Sequence, residues 1–251
     1  MEYFWDTEYT IPPGQGFALF GPGHLLWLLF GVGLCLVLCR CFYQWGERTR
    51  RLCLGVTAGL LAADELFKYG VALGSGAFRP SFLPLHLCSI HIFCIIADAL
   101  RPSVYVREEL FAVCLPGALL ALIFPGWAYL PLANALCIHS FSAHILLLLY
   151  PMLVLSEGFR PQFRRFLRTL PFLLLTVAAV YGVNRILGTN FMFLSRAGEG
   201  NPLAWFESFL GSPGYLLGIP IMAGGCWGLL YGVAGRWKRR GGACKFWKNR
   251  I

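Results

Sequence analysis

A histidine and a thiol stand one residue apart in His86-Leu87-Cys88, at the head of an apolar run that continues Ser89-Ile90-His91-Ile92-Phe93-Cys94-Ile95-Ile96-Ala97-Asp98. Nucleophilic acyl transfer uses such a pair: the thiolate attacks, and an imidazole takes and returns its proton. Charged groups cost about 3 kcal/mol or more at membrane depth, so they face protein, water or a partner there. Similar groups recur in other greasy stretches. Asp64, Glu65 and Lys68 form one set, His139, Ser140 and His144 a second, and Tyr181, Asn184 and Arg185 a third.

Helical spacing sorts these residues into pairs. Asp64 and Lys68 are four apart, share a face and can neutralise one another. Cys88 and His91 are three apart, Ser140 and His144 four apart, and each pair also shares a face. His86–His91 and His139–His144 are five apart, which is about 140° around a helix. Neither pair can chelate an ion from one regular helix, so no metal site and no cofactor is the first expectation; zinc or haem held by one ligand from each of spans three and five, with Cys88, is a lower-ranked alternative. Plainer roles are available too: an ion pair inside a bundle, interhelical hydrogen bonds for the histidines, packing for scattered thiols, and snorkelling for Arg185.

The elements that must position these residues are apolar helices. The chain has 251 residues, of which 57% are hydrophobic and 13% charged, far from soluble averages. Seven stretches are long and apolar enough to read as spans: His24–Phe42, Leu52–Leu73, Leu83–Leu100, Leu110–Tyr129, Cys137–Leu155, Leu170–Leu187 and Gly214–Gly235. The fourth is interrupted by Pro116 and Gly117. The expected fold is therefore all-α, a polytopic membrane bundle of seven transmembrane helices. Residues 1–23 form an external arm, 24–235 the membrane domain and 236–251 a basic tail.

Seventeen Lys and Arg residues fall in one alternating set of segments and two, Arg79 and Arg196, in the other. That asymmetry predicts an external N-terminus and a cytoplasmic C-terminus. It also explains the net charge of +9 as a topology signal with an anionic-lipid contact at the tail, which argues against nucleic acid as a partner. Most of the ten cysteines lie inside spans, where they act as small hydrophobes rather than a disulfide scaffold. The acidic N-terminal region does not read as a cleaved signal peptide. The seventh span has no lysine for a retinal Schiff base. With this orientation, polar residues of spans two, three, five and six gather in the outer half of the bundle. The loop Gly188–Pro213 supplies aromatics for an interfacial belt or lid.

Three motifs carry a family likeness: Leu83-Pro84-Leu85-His86-Leu87-Cys88, Gly188-Thr189-Asn190-Phe191-Met192-Phe193-Leu194 and Pro213-Gly214-Tyr215. They resemble the YwaF-type integral membrane proteins, a mostly bacterial family, over nearly the whole chain. Its animal relatives are transmembrane acyltransferases proposed to move acyl chains between phospholipids through a cysteine. The resemblance implies Cys88 as nucleophile, flanked by His86 and His91, with His139 or His144 as base. It implies a multi-pass protein of the cell membrane, the bacterial cytoplasmic membrane, with membrane lipids as partners and a phospholipid as substrate. For such a lipid acyltransferase or hydrolase, Asn134, Asn190 or Arg185 would meet the oxyanion or phosphate, and Asp64, Lys68 and Asn184 complete the expected binding set. The competing expectation is a proton- or ion-coupled transporter, channel or receptor built on buried Asp64, Glu65, Lys68 and the histidines.

Overall fold

A computed structural model describes residues 2–198 and 201–239. Residues 240–251 of the expected basic tail lie outside the described residues. Among those described the chain is all helical, with no strand. Helix α1 (Pro22–Gln44) starts with a proline in its first turn, where the missing N–H costs nothing. Trp45 and Gly46 turn the chain straight into α2 (Glu47–Gly74). Arg50 answers the end of α1, donating from its guanidinium to the carbonyls of Phe42 at 2.9 Å and Tyr43 at 2.6 Å. These are C-terminal carbonyls that the helix itself cannot satisfy.

Helix α3 (Leu87–Leu100) is shorter than the expected third span. Pro84 disfavours helical geometry in the residue before it, and a 3₁₀ turn at Pro80–Phe82 precedes it. His86 becomes the N-cap position of α3, so His86-Leu87-Cys88 straddles a helix start rather than sitting inside a helix. The expected fourth span is also re-cut. It runs as α4 (Val104–Glu109), a π turn (Leu110–Cys114) and α5 (Leu115–Ile123). Pro116 cannot donate to the carbonyl four residues back, and the helix widens there: Leu115 N–H reaches Leu110, five residues earlier.

Helix α6 (Ala135–Ser156) is the axis, packed by α1, α2, α3 and α5. It is apolar around its circumference, as a helix enclosed by others should be. A short α7 (Phe163–Phe166) leads to α8 (Leu170–Leu187), which ends at Gly188 in the left-handed conformation, φ 65°. Helices α9 (Pro202–Gly214) and α10 (Gly218–Arg239) follow. Among the described residues, five segments are long and apolar enough to cross a membrane: Pro22–Gln44, Pro80–Leu100, Ala135–Ser156, Leu170–Leu187 and Pro202–Arg236. Helix α2 carries Asp64, Glu65 and Lys68, and the α4–α5 segment is broken by its π turn. The outer surface is apolar: Leu29 on α1, Ile186 on α8 and Leu229 on α10 are 69%, 82% and 70% exposed. A soluble protein would not sustain this along every outer helix.

The two ends of the bundle differ. At one, the N-terminal arm folds back over the helix ends. Phe4 accepts from Ala135 N–H at 2.8 Å, and Ala128 accepts from Phe17 N–H at 2.9 Å. Gly16 permits the second contact, because a Cβ there would sit 2.2 Å from the Ala128 carbonyl oxygen. At the other end lies a buried ionic network. Asp98 accepts from Arg107 Nε at 3.0 Å, Tyr150 Oη at 3.0 Å and the Ser103 N–H at 2.9 Å. Arg107 also donates to Glu157 at 2.9 Å. Beside it, Glu108 accepts from Tyr231 Oη at 2.8 Å and the Gln162 N–H at 2.9 Å. Asp98, which the sequence groups with His86 and Cys88, therefore serves the opposite end of α3.

Breaking a buried pair strands the remaining charge, which costs about 3–5 kcal/mol. Arg107→Met should lower unfolding free energy of the purified protein by that amount. Arg51→Met, whose pair with Glu47 is exposed, should change it by less than about 1 kcal/mol. Equal small losses would show that the network does not constrain the fold.

Candidate functional site

The polar residues of α2 and α6 meet across the helix interface. Asp64 does not pair with Lys68, as their spacing predicts. Its carboxylate instead points to α6, 3.0 Å from His139 Nδ1, and accepts from Ser142 Oγ at 3.2 Å. The imidazole stands at contact distance but off the line of a hydrogen bond. Lys68 turns to Glu65, three residues back, and its ammonium also lies 4.9 Å from the Tyr69 ring. The physical reason is that two carboxylates stand side by side on α2. The one facing α6 finds its partners there, and the other takes the lysine. Ser142 is the residue the sequence reading missed. It lies three residues after His139, hence on the same face, and that spacing is its one sequence signal. Ser140, which was singled out, bonds back to the Leu136 carbonyl of its own helix at 2.8 Å.

His144 lies one turn beyond Ser140, and its Nδ1 is 2.7 Å from the Ser140 carbonyl oxygen. A carbonyl only accepts, so Nδ1 carries the proton, and in the neutral ring Nε2 holds the free lone pair. Trp127, from the loop after α5, stacks on this imidazole with centroids 4.8 Å apart and planes at 24°. No spacing signal links Trp127 to His144, because a loop folded by tertiary contacts brings them together.

The start of α3 faces the same cluster. His86 Nδ1 accepts from the Met192 N–H at 3.4 Å, a long contact, and its ring meets Phe191 edge-on at 5.2 Å. Lys68 and His144 are both close enough to His86 to interact electrostatically. Cys88 is on the first turn of α3, with Lys68 and Glu65 within electrostatic reach. His91 is buried further along α3 and lies against the Leu87 carbonyl one turn back.

The three asparagines proposed as ligands have structural work. Asn134 caps α6, accepting from the N–H groups of Leu136 and Cys137, and its amide donates to the carbonyls of Tyr3 and Asp6. Every hydrogen-bonding position of that side chain is thereby used. Asn184 ties the end of α8 to the following loop through Thr189 and both backbone groups of Phe191. Asn190 holds Ser195 and Arg196 in the same loop. Arg185 is exposed at the end of α8. Among the described residues, no group of three or more His, Cys, Asp or Glu side chains is arranged to hold a metal ion.

The family model for the TMEM164 family, a family of transmembrane proteins, matches residues 19–231. The chain belongs to that family. No curated protein and no solved structure matches it. The match spans the whole His86–Cys88 and Asp64–His139 region, so the polar cluster lies within the TMEM164-family part of the chain rather than in an appendage.

Two measurements test the geometry in this TMEM164-family protein. Asp64→Ala removes the acceptor of Ser142 Oγ and the carboxylate beside His139, and should cost about 1–3 kcal/mol of stability. A membrane-permeant maleimide should alkylate half-buried Cys88 before Cys35, Cys114 or Cys137, which are buried. Peptide mass spectrometry showing the reverse order would contradict the exposure of the Cys88 thiol.

Proposed function

We propose that this protein is a multi-pass enzyme of the cell membrane that moves acyl chains on and off glycerophospholipids through Cys88. The observation that carries the reading is the Cys88 thiol on the first turn of α3, two residues from His86, whose ring interacts with Lys68 of α2 and His144 of α6. The YwaF-type likeness of the same motif supports it. In the proposed step, His144 Nε2 takes the thiol proton and the thiolate attacks the ester carbonyl of a phospholipid. The tetrahedral oxyanion is stabilised by Lys68 and the helix-start N–H groups. The carbon–oxygen bond to glycerol then breaks, and the lysolipid alkoxide leaves with the proton from His144. A lysolipid hydroxyl or water attacks the thioester in the return step, restoring the thiol. Arg185 is the candidate contact for the lipid phosphate.

The same reading has seven spans with the N-terminus outside. It is supported by connections that alternate between the two ends of the bundle and by the basic residues gathered at the end that holds Arg107, Arg160 and Arg165.

Incubation with a phospholipid carrying a labelled acyl chain should leave a hydroxylamine-sensitive label on Cys88. Cys88→Ala should abolish both label and lipid turnover, and His144→Ala should lower turnover by about 100-fold or more. Unimpaired turnover in purified Cys88→Ala protein sinks the proposal.

The Asp64–His139 contact between α2 and α6 favours a second reading, a proton- or ion-coupled path. Reconstituted vesicles would then show a flux that Asp64→Asn removes and Cys88→Ala leaves intact.

A further inference from the structure

The segment between α6 and α8 divides its arginines between two surroundings. Helix α7 and the turns that continue it to Thr169 read Phe163-Arg164-Arg165-Phe166-Leu167-Arg168-Thr169. At about 100° per residue, Arg165, Phe166 and Thr169 fall on one side and Phe163, Arg164, Leu167 and Arg168 on the other. The first side faces the protein. Arg165 pairs with Glu108 at 3.1 Å and donates to the Arg160 carbonyl at 2.7 Å, Phe166 is buried, and the buried Thr169 hydroxyl donates to the Phe166 carbonyl. The second side is exposed throughout, Phe163 and Leu167 at 48% and 46%, with both arginines beside them. An exposed apolar pair next to an exposed basic pair suits a segment that lies among lipid headgroups. Its place agrees with this, because the flanking segments Ala135–Ser156 and Leu170–Leu187 are both long and apolar enough to cross a membrane.

No carboxylate answers the outward pair. Arg107 takes Asp98 and Glu157, Arg165 takes Glu108, and among the described residues neither Arg164 nor Arg168 has an ion-pair partner. A neutral group does meet one of them: Arg168 Nη1 donates to Tyr105 Oη of α4 at 3.2 Å. The phenol oxygen accepts from the guanidinium there, so its own hydrogen stays available, and Tyr105 is 44% exposed. Arg164 stands one turn before Arg168, on the same face. Two guanidiniums and a phenol hydrogen make a donor set for the oxygens of one phosphate, and guanidinium is the cation whose fork fits that group.

We propose that Arg164, Arg168 and Tyr105 bind the phosphate of an anionic glycerophospholipid, with Phe163 and Leu167 against its acyl chains. Two unpaired guanidiniums favour a headgroup that carries no cation of its own. The site is separate from Cys88 and does not depend on the acyl-transfer reading. The full-length protein in non-ionic detergent is mixed with equimolar phosphatidylglycerol and phosphatidylcholine, and retained lipid is counted by native mass spectrometry. Phosphatidylglycerol should be retained in preference, and equally so in Cys88→Ala. The double variant Arg164→Gln/Arg168→Gln should lower its retention about tenfold and Tyr105→Phe about threefold, with thermal midpoints kept. Arg40→Gln/Arg48→Gln removes the same charge at two other exposed positions and should leave retention unchanged. Equal losses in the two double variants would reduce the effect to net charge and overturn the site, as would equal retention of both lipids by the unaltered protein. Displacement of the lipid by soluble glycerol phosphate would make the ligand a free phosphate ester and overturn the lipid assignment.

Discussion

A helix enclosed by other helices can leave none of its polar groups to water, and α6 is such a helix. Ser142 donates to Asp64 of α2, His144 bonds within its own turn and stacks under Trp127 from the loop after α5, and His139 stands against the Asp64 carboxylate. Its first turn is answered by Asn134, and Asn134 in turn holds the N-terminal arm through Tyr3 and Asp6. The rule that polar groups in an apolar interior must find partners thus fixes three things at once: the α2–α6 register, the loop over His144, and the arm across that end.

The two ends of the bundle satisfy this rule differently. At the end with Asp98, Arg107, Glu108 and Glu157, arginine, tyrosine and backbone donors from α4, α6, α10 and the connecting turns meet the carboxylates of α3, α4 and Glu157. Ties that join so many segments suit a structural clasp. The other end keeps imbalance. His144 has a free ring nitrogen, Cys88 sits at a helix start, and the Trp127 N–H is unpaired. Groups held in place but not fully consumed are what a reacting site needs.

Much of this was legible from residue order. Apolar runs marked the long helices, and the basic segments marked one end of the bundle. The gathering of Asp64, His86, Cys88, His139 and His144 at one depth followed from where each lies along its run. Partner choice was not legible. Spacing joined Asp64 to Lys68, yet Glu65 competes for the same ammonium and α6 offers Asp64 a second set of partners. The network around Glu108 was invisible for a related reason: its donors come from Gln162 and Tyr231, far along the chain.

The sequence by itself determined that this is a helical membrane protein with an ionisable cluster around His86-Leu87-Cys88, because the cost of exposing apolar surface or burying charge is a property of each residue and its immediate neighbours. Tertiary structure alone decided that Cys88 lies at a helix start beside Lys68, that Trp127 covers His144, and that Asn134, Asn184 and Asn190 are fasteners. Those outcomes depend on which segments pack together, and hydrogen-bond competition is resolved only once all the candidate partners share one place.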